Sequence, residues 1–435
     1  MSSPNDAIRD LAARAEERRV ALRDGLAGRR ADLPLRYWRQ SAHFTTPAAD
    51  AAMARKAVEG GTASVARILD RWAIRPADLA ERLGLPTAQV EARLARPARA
   101  PLVMLDGEDA IAPGDAVAAR GLAVAADVFV DADWSGGGAP TLRTFRPPGL
   151  NLDTTVRDLT TLLARLSERT GGDPAAYPLD AIVFPKLEHP EEVTFLHGLL
   201  DEVEAALGLP NGRIRVAYLI ESGWAAAQLP AIAARAADRL CALIFGLADY
   251  SADLGLPEIR TDHPLADWVR AEIVNVAGGV GVPAIDGMTL AYPVADPALD
   301  DAANRLRFLD RMAFVYEDAV HARDLGMAGK WVGHPAQLLA VLLAFDDRYR
   351  SDTLEIEAAK LDTYAIALSE ERGATMIAGV MSDRATDRHA RALLRAATAV
   401  GRFDPERALA LGAIDAGELS EARAAFAGVT GTPAA

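Results

Sequence analysis

Residues 180–249 read DAIVFPKLEHPEEVTFLHGLLDEVEAALGLPNGRIRVAYLIESGWAAAQLPAIAARAADRLCALIFGLAD and contain three short β-rich runs separated by longer stretches. The runs are DAIVFPKL at 180–187, RVAYLIE at 215–221 and CALIFGLAD at 241–249. Between the first two lies EEVTFLHGLLDEVEAALG, whose apolar residues recur every three or four positions, as in an amphipathic helix. A strand followed by a helix and a second strand is the repeating unit of a parallel sheet.

The same alternation extends in both directions along the chain. The other β-rich runs are SAHFTT (41–46), PLVMLD (101–106), TLRTFR (141–146), VPAIDGMTL (282–290) and GKWVG (329–333). Eight alternating strand and helix units predict an α/β fold in which the sheet closes into a (β/α)₈ TIM barrel over residues 41–345. A doubly wound open sheet is the structural alternative.

Three regions of the chain are additional to the eight strand and helix units of a minimal barrel. Residues 1–40 predict an N-terminal helical extension, and residues 51–100 predict a helical insertion after the first strand. Within the insertion, residues 75–94 have two short helices around a glycine turn, like a helix-turn-helix, but the acidic chain favours a helical cap on the barrel mouth. Residues 346–435 have helical segments around a loop at 373–384 and predict a C-terminal helical lid.

The chain has 435 residues and a formal net charge of −14. This charge opposes attraction to nucleic acid or an anionic membrane, so local arginines or a metal must hold any anionic substrate. No uncharged apolar run reaches the roughly 18 residues that span a bilayer, and the charged N-terminus lacks the apolar centre of a signal peptide. We therefore expect a cytoplasmic protein with no membrane or nucleic-acid partner.

Two carboxylates end neighbouring strands of the predicted barrel. Glu221 ends the fifth run and Asp249 the sixth, and the carboxyl ends of barrel strands meet at the mouth where catalysis takes place. Two carboxylates suit Mg²⁺, which leaves its other coordination positions to water and substrate oxygens. The alternative is that each acid only caps the helix that follows its strand.

The second and third runs end in further charged residues. Asp106, Glu108 and Asp109 form an acidic turn, which either orients the waters of a bound metal or is a solvated loop. Arg143 and Arg146 lie in the third run, before a rigid Pro-Pro-Gly turn. A guanidinium can bind a carboxylate or an enolate oxygen at all pH values, although either arginine could instead form a surface ion pair.

Several segments, taken in order, resemble the citrate lyase beta-subunit and malyl-CoA lyase group of CoA-ester lyases and, more distantly, malate synthase. The segments are RQSAHFTTPAADAAMARKA, LDGEDAIAPGDAVAAR, LIESGWA, FGLADYSADLGL, GMAGKWVGHPAQLLAVLLAF and VMSDRATDRHARALL. The resemblance covers most of the chain. It implies the same barrel fold and a carbon–carbon lyase that uses a coenzyme A thioester.

The resemblance also implies roles for individual residues. Glu221 and Asp249 would bind Mg²⁺, with Mn²⁺ as an alternative, and an arginine, Arg146 in preference to Arg143, would stabilise a thioester enolate. Asp383, in the lid segment, would transfer the proton. In the lyases this lid often closes over a neighbouring subunit, so a homo-oligomer, either a trimer or a hexamer, is expected.

Four further residues are candidates for contacts with the substrate or coenzyme A. Arg39 matches an arginine near the family's first strand, although residues 46–48 lack the usual Pro-Gly turn. Lys186 would either neutralise the acidic turn or contact the substrate. Lys330 would form a salt bridge in the mouth or touch coenzyme A phosphates, and His334 would fix the turn after the last strand rather than bind metal.

The expected reaction is the reversible cleavage of a malyl-CoA, citramalyl-CoA or methylmalyl-CoA type 3-hydroxyacyl-CoA to an acyl-CoA and glyoxylate or pyruvate. A compact malate synthase, which condenses acetyl-CoA with glyoxylate and releases free CoA, is one alternative. An aldolase that acts on 2-oxo acids without CoA is another. A non-catalytic acyl-CoA-binding protein or a subunit of a larger lyase complex is the alternative from a different class.

Overall fold

The structure is a computed structural model that describes residues 4–27, 31–112, 114–136, 140–377 and 380–430. The strands are β1 (Ala42–Pro47), β2 (Leu102–Asp106), β3 (Leu142–Arg146), β4 (Ala181–Phe184), β5 (Arg215–Ile220), β6 (Leu240–Phe245), β7 (Ala284–Asp286), β8 (Gly329–Val332), β9 (Thr375–Ile377) and β10 (Val380–Ser382). The α-helices are α1 (Pro4–Ala27), α2 (Ala51–Gly60), α3 (Val65–Arg71), α4 (Pro76–Leu83), α5 (Thr87–Ala95), α6 (Asp115–Asp131), α7 (Thr155–Arg169), α8 (Pro190–Ala206), α9 (Gly223–Ala236), α10 (Leu247–Asp253), α11 (Pro264–Val280), α12 (Asp301–Asp324), α13 (Pro335–Asp346), α14 (Ser351–Ser369), α15 (Arg384–Ala399), α16 (Pro405–Ala410) and α17 (Leu419–Thr430). Short 3₁₀ helices lie at Leu35–Trp38, Pro174–Ala176 and Asp347–Tyr349.

Strands β1 to β8 form a closed parallel barrel in sequence order, because β8 pairs with β1. Each of the eight predicted β-rich runs overlaps one of these strands, so the predicted (β/α)₈ barrel is confirmed and the open-sheet alternative is wrong. The strands are almost entirely buried, as expected for parallel strands covered by helices on the outside. The register aligns Pro47 with Asp106 and Asp106 with Arg146, which brings the carboxyl ends of the first three strands to one mouth.

The insertion after β1 is helical from α2 to α5 and runs from one end of the barrel towards the other. The Asp50 carboxylate caps α2 by accepting a hydrogen bond from the backbone N–H of Met53 over 2.9 Å. Helix α4 ends at Gly84, which has a left-handed φ of +66° that favours glycine. Helices α2 and α3 border the mouth, whereas α4 packs against α12 and α5 against α13. Only the first half of the insertion therefore caps the mouth.

The C-terminal region has its own apolar core, formed by residues such as Leu354, Leu394 and Phe403. This core packs around Leu35 and Trp38, which precede β1. Because the chain enters β1 at the amino end of the barrel, the C-terminal region lies at that end and not over the mouth.

The predicted loop at 373–384 is wrong in part, because β9 and β10 within it form an antiparallel pair in which Met376 faces Met381. Strands of three residues are too short to show an alternating pattern in the sequence. Both methionines are exposed. Residues 378 and 379 lie outside the described residues.

None of the helices in the described ranges is both long and apolar enough to cross a membrane.

Candidate active site

A cavity of about 870 Å³ opens at the carboxyl ends of the barrel strands. It is lined by residues that end or follow β1, β2, β3, β5, β6, β7 and β8, and by helices α2 and α3 of the insertion. The carboxyl end of the strands is where TIM barrels place their catalytic residues. We therefore take this cavity as the candidate active site.

Glu221 and Asp249 lie on either side of one ammonium group. Glu221 directly follows β5, and Asp249 lies in the first turn of α10 after β6. The Nζ atom of Lys186, after β4, is 2.5 Å from Oδ1 of Asp249 and 3.9 Å from Oε1 of Glu221. A Cβ atom on Gly246 would be 2.5 Å from Cβ of Glu221, so only glycine permits this close approach of β6.

Lys186 has a strained backbone. Its φ is +53°, a left-handed value that costs a non-glycine residue roughly 1–2 kcal/mol. In this conformation its N–H donates a hydrogen bond to Oε1 of Glu221 over 2.6 Å. Strained residues of this kind cluster at functional sites, where the surrounding structure holds them.

The acidic side chains of the mouth are incompletely neutralised. Burial raises the pKa of Glu221 to about 7 and that of Glu108 to about 8. Within the described part of the chain, the buried Oε2 atom of Glu221 has no hydrogen-bond partner. A buried carboxylate oxygen without a donor is costly, so a proton or a metal cation would stabilise it.

Arg146 is held rigidly at the floor of the cavity. Its Nε and Nη2 atoms donate to the two carboxylate oxygens of Asp106 over 2.7 and 2.6 Å. Its Nη1 atom lies 3.0 Å from Glu108 and 3.4 Å from Asp109. The guanidinium also lies 5.4 Å from the ring centre of Trp331. The acidic turn after β2 is therefore partly buried and paired with Arg146, and is not a freely solvated loop.

The charges of the mouth fit a divalent cation. Five carboxylates of the mouth face two cations, which leaves an excess of three negative charges when all of them are ionised. The carboxylates are those of Asp106, Glu108, Asp109, Glu221 and Asp249, and the cations are Arg146 and Lys186. No three His, Cys, Asp or Glu side chains among the described residues converge closely enough for a complete metal site. Mg²⁺ needs only one or two protein carboxylates, so the donor set matches this ion.

The outer part of the cavity carries the opposite charge. Lys56 of α2 and Arg67 and Arg71 of α3 line it, and none of them forms an ion pair with any residue that the structure describes. The sequence analysis did not identify these three residues as candidates for the site. The four-residue spacing of Arg67 and Arg71 would have placed both on one face of a helix, but not at the mouth.

The structure places three of the predicted site residues away from the cavity. Arg143 pairs with Asp180, which precedes β4 at the amino end of the barrel, over 3.2 Å. Arg39 precedes β1 at the same end. Lys330 of β8 is buried between the barrel and helix α12, where it forms ion pairs with Asp286 and, over 2.9 Å, with Asp318 of that helix. It is enclosed by these acids and cannot reach a phosphate in the mouth.

His334 and Asp383 both cap helices. Nδ1 of His334 accepts a hydrogen bond from the N–H of Ala336 over 3.2 Å, which fixes the turn between β8 and α13 at the edge of the cavity. Burial lowers the pKa of His334 to about 4, so the ring is neutral at pH 7. Oδ1 of Asp383 accepts from the N–H groups of Ala385 and Thr386 at the start of α15, over 2.8 and 3.2 Å. Asp383 therefore belongs to the C-terminal region and lies away from the mouth of its own barrel.

Comparison with known proteins identifies relatives of this chain. A family model described as Domain of unknown function (DUF6986) matches residues 35–426. The L-malyl-CoA/beta-methylmalyl-CoA lyase of Rhodobacter capsulatus is 30% identical over 315 residues, which are 68% of this chain and 87% of that protein. The protein of the same name from Haloarcula marismortui is 27% identical over 228 residues, which are 52% of this chain and 61% of that protein.

Among solved structures, a citrate lyase from Burkholderia xenovorans LB400 superposes with a TM-score of 0.55 and 22% sequence identity. The superposition covers 87% of this chain and 96% of that one, and it supports the barrel fold. The chain therefore belongs to the family described as Domain of unknown function (DUF6986) and, through its lyase relatives, to the CoA-ester lyases, which are carbon–carbon lyases.

Proposed function

We propose that this enzyme is a Mg²⁺-dependent lyase that reversibly cleaves a malyl-CoA, citramalyl-CoA or methylmalyl-CoA type thioester to an acyl-CoA and glyoxylate or pyruvate. The observation that carries the proposal is the polarity of the mouth cavity, which has carboxylates at its base and, at its rim, cations that form no ion pair within the described part of the chain. A CoA thioester has the matching polarity, since its phosphates lie at one end and its reacting group at the other. The lyase relative from Rhodobacter capsulatus supports the same substrate class.

The base of the cavity would hold the metal. Glu221 and Asp249 are the ligands that we assign to it, and Lys186 would leave its position next to Asp249 when the ion binds. Bound Mg²⁺ supplies a Lewis acid for the oxygens of the 2-oxo acid. The ammonium of Lys186 would then remain available to a carboxylate of the substrate.

Arg146 would stabilise the charge that develops during cleavage. The hydroxyl on C3 gives up its proton to a carboxylate of the mouth, the bond between C2 and C3 of the thioester breaks, C3 becomes the carbonyl carbon of the 2-oxo acid, and the acyl-CoA leaves as an enolate. A fixed cation near the enolate oxygen stabilises this species by several kcal/mol. Asp106 holds the guanidinium through two hydrogen bonds, so Arg146 does not have to reorganise as the charge appears.

The rim would hold the phosphates of coenzyme A. Lys56, Arg67 and Arg71 are cations without carboxylate partners among the described residues, and phosphates are their natural counter-ions. On this proposal, the first half of the insertion serves to bind the thioester.

The proton would come from Asp383 of a neighbouring subunit. Asp383 lies in the C-terminal region, which packs at the amino end of its own barrel, so a second copy must supply it to the mouth. Exposed apolar residues support association. Trp224 lies on α9, which follows Glu221, and Trp268 lies on α11, which packs against α9. Met376 and Met381 lie close to Asp383 in the sequence. We propose a trimer or a hexamer in which this aspartic acid protonates the enolate.

Turnover of defined thioesters tests the proposal. We expect release of glyoxylate or pyruvate from at least one of malyl-CoA, citramalyl-CoA and methylmalyl-CoA in the presence of Mg²⁺, and loss of this activity after treatment with EDTA. Release of free CoA in step with malate from acetyl-CoA and glyoxylate would instead identify a malate synthase. Absence of turnover with all three thioesters would refute the lyase proposal.

A further inference from the structure

A second cavity, of about 820 Å³, lies at the end of the barrel opposite the mouth. Ser41, Pro101 and Thr141 line it, and each directly precedes one of the strands β1, β2 and β3. Helix α5 of the insertion, the end of α13, and residues after α15 and within α17 complete its walls. The cavity thus lies where the insertion, the barrel and the C-terminal region meet, and small-molecule sites commonly form between such units.

The lining of this cavity is basic. Its charged residues are the arginines Arg39, Arg93, Arg96, Arg99, Arg350 and Arg402 and the acids Glu59, Asp346 and Asp347. Six cations face three anions in this lining, but Arg99 and Arg350 also pair with Asp133 and Asp352 just outside it. The remaining positive charge therefore lies on Arg39, Arg96 and the pair Arg93 and Arg402, in a chain whose net charge is −14. A positively charged concave surface concentrates anions, and it does so here against the field of the whole protein.

Two of these arginines form no ion pair with the residues that the structure describes. Arg39 is partly buried, and its Nε donates to the carbonyl oxygen of Arg36 over 3.4 Å. Burial lowers the pKa of its guanidinium, and the nearby carboxylates of Glu421 and Asp180 only partly offset this effect. Arg96 is exposed at the edge of the cavity. A partly buried cation without an ion-pair partner among the described residues is poorly stabilised, so an anionic ligand would stabilise Arg39.

Two other arginines share one carboxylate. Asp346, at the end of α13, pairs with Arg93 of the insertion and, over 2.7 Å, with Arg402 of the C-terminal region. One acid cannot neutralise two guanidinium groups, so this cluster also retains a positive charge. A phosphate group is a strong acceptor for such paired guanidiniums.

One wall of the cavity is apolar. Leu342, Leu343 and Phe345 of α13 contribute to it, together with Val400 and Val429 of the C-terminal region. The volume lies within the range of small-molecule sites, and a ligand that filled it would have both an anionic and an organic part.

We propose that this cavity binds an organic polyphosphate of nucleotide size, with its phosphates on the arginines and its organic part on the α13 wall. The proposal does not depend on the function of the mouth. Because the cavity is bordered by the insertion and by the region that carries Asp383, its ligand would also hold these two units together.

Calorimetry with ATP as the probe tests this site. We expect one saturable ATP site per chain outside the mouth, and Arg96→Glu should weaken binding to it about ten- to hundredfold, because one phosphate contact becomes a repulsion. Arg96 is exposed, so this variant should fold normally, which circular dichroism checks. Arg39→Gln should weaken ATP binding in the same way.

A matched variant distinguishes the two cavities. Arg67→Glu, at the rim of the mouth, should leave the ATP affinity of the second cavity unchanged. ATP binding that is lost in Arg67→Glu but retained in Arg96→Glu would overturn the proposal, and so would an absence of saturable binding. Inorganic tripolyphosphate should bind about tenfold more weakly than ATP, because it cannot use the apolar wall. Equal affinities would overturn the organic part of the assignment.

Discussion

The ammonium of Lys186 lies 2.5 Å from the carboxylate of Asp249 and within 3.9 Å of the carboxylates of Glu108, Asp109 and Glu221. One cation therefore lies among four acids at the mouth of the barrel. A divalent metal bound there has to displace it, so the lysine and the metal compete for the same carboxylates.

The competition predicts the behaviour of Lys186→Met. The metal-free variant should be less stable than the wild type, because four carboxylates lose their cation. Mg²⁺ should then raise its melting temperature by more than it raises that of the wild type, with a difference of the order of 5 °C. Thermal unfolding with and without Mg²⁺ measures this. The control is Lys360→Met, which removes a partly exposed ion pair with Glu357. An equal rise in melting temperature with Mg²⁺ in Lys186→Met and in the wild type would contradict the proposed competition.

The metal assignment predicts the effect of neutral amides. Glu221→Gln and Asp249→Asn should each weaken Mg²⁺ binding and lower kcat by about a hundred- to ten-thousandfold, since each removes a proposed metal ligand. Mn²⁺ binding followed by electron paramagnetic resonance gives a readout that does not require turnover. Glu258→Gln, at an exposed side chain after α10, should change neither quantity. Full metal binding in both amide variants would rule out the assignment.

The two arginines of β3 should respond differently to substitution. Arg146→Gln leaves Asp106 buried without its partner, so we expect a loss of about 3–5 kcal/mol in unfolding free energy and at least a hundredfold fall in kcat. Arg143→Gln removes the pair with Asp180 at the other end of the barrel and should leave kcat unchanged. Urea unfolding measures the stability of both variants, and steady-state kinetics measures their kcat. A kcat effect of Arg143→Gln equal to that of Arg146→Gln would contradict the geometry.

Subunit complementation tests the role of Asp383. Asp383→Asn and Glu221→Gln should each be inactive alone, whereas co-expression of differently tagged copies should restore about one of the three sites in each mixed trimer. The reason is that an intact site needs Glu221 from one subunit and Asp383 from the next. Activity of purified mixed oligomers measures this. Inactive mixed oligomers would show that Asp383 does not act across subunits.

The loss of folding stability at low pH should depend on His43. This residue is buried in β1, and its Nε2 atom lies 2.9 Å from Oε1 of Gln40. Burial lowers its pKa to about 3, from an ordinary value of 6.5. Between these two pKa values, His43 is protonated in the unfolded chain but neutral in the folded protein. The free energy of unfolding therefore falls as the pH falls below about 6.5, by about 1.4 kcal/mol per pH unit. His43→Gln should reduce this slope in urea unfolding between pH 6 and pH 4. His389→Gln, at an exposed position, should not, and equal slopes in all three proteins would contradict the prediction.

The barrel was predictable from the sequence because strand and helix periodicities are local properties of the chain. The runs at 215–221 and 241–249 show this most clearly, since each is apolar and ends in a carboxylate. Once eight such units are recognised, closure of the sheet brings the strand ends together, and Glu221, Asp249 and Arg146 meet at one mouth.

The direction of each long side chain was decided by tertiary structure. Arg143 and Arg146 are three residues apart on one strand, and an odd spacing places side chains on opposite faces of a sheet. Only the barrel shows which face lines the mouth. Lys330 is likewise enclosed by Asp286 and Asp318, two acids distant in the sequence, whose positions no local pattern indicates.

By itself, the sequence determined the eight-stranded barrel and the group of acids at its mouth, because both follow from short-range patterns along the chain. Tertiary structure alone decided that the insertion supplies Lys56, Arg67 and Arg71 to that mouth and that the C-terminal region packs at the opposite end. The physical reason is that the packing partner of an amphipathic helix is chosen by non-local burial of its apolar face, and the helix pattern specifies that face but not its partner.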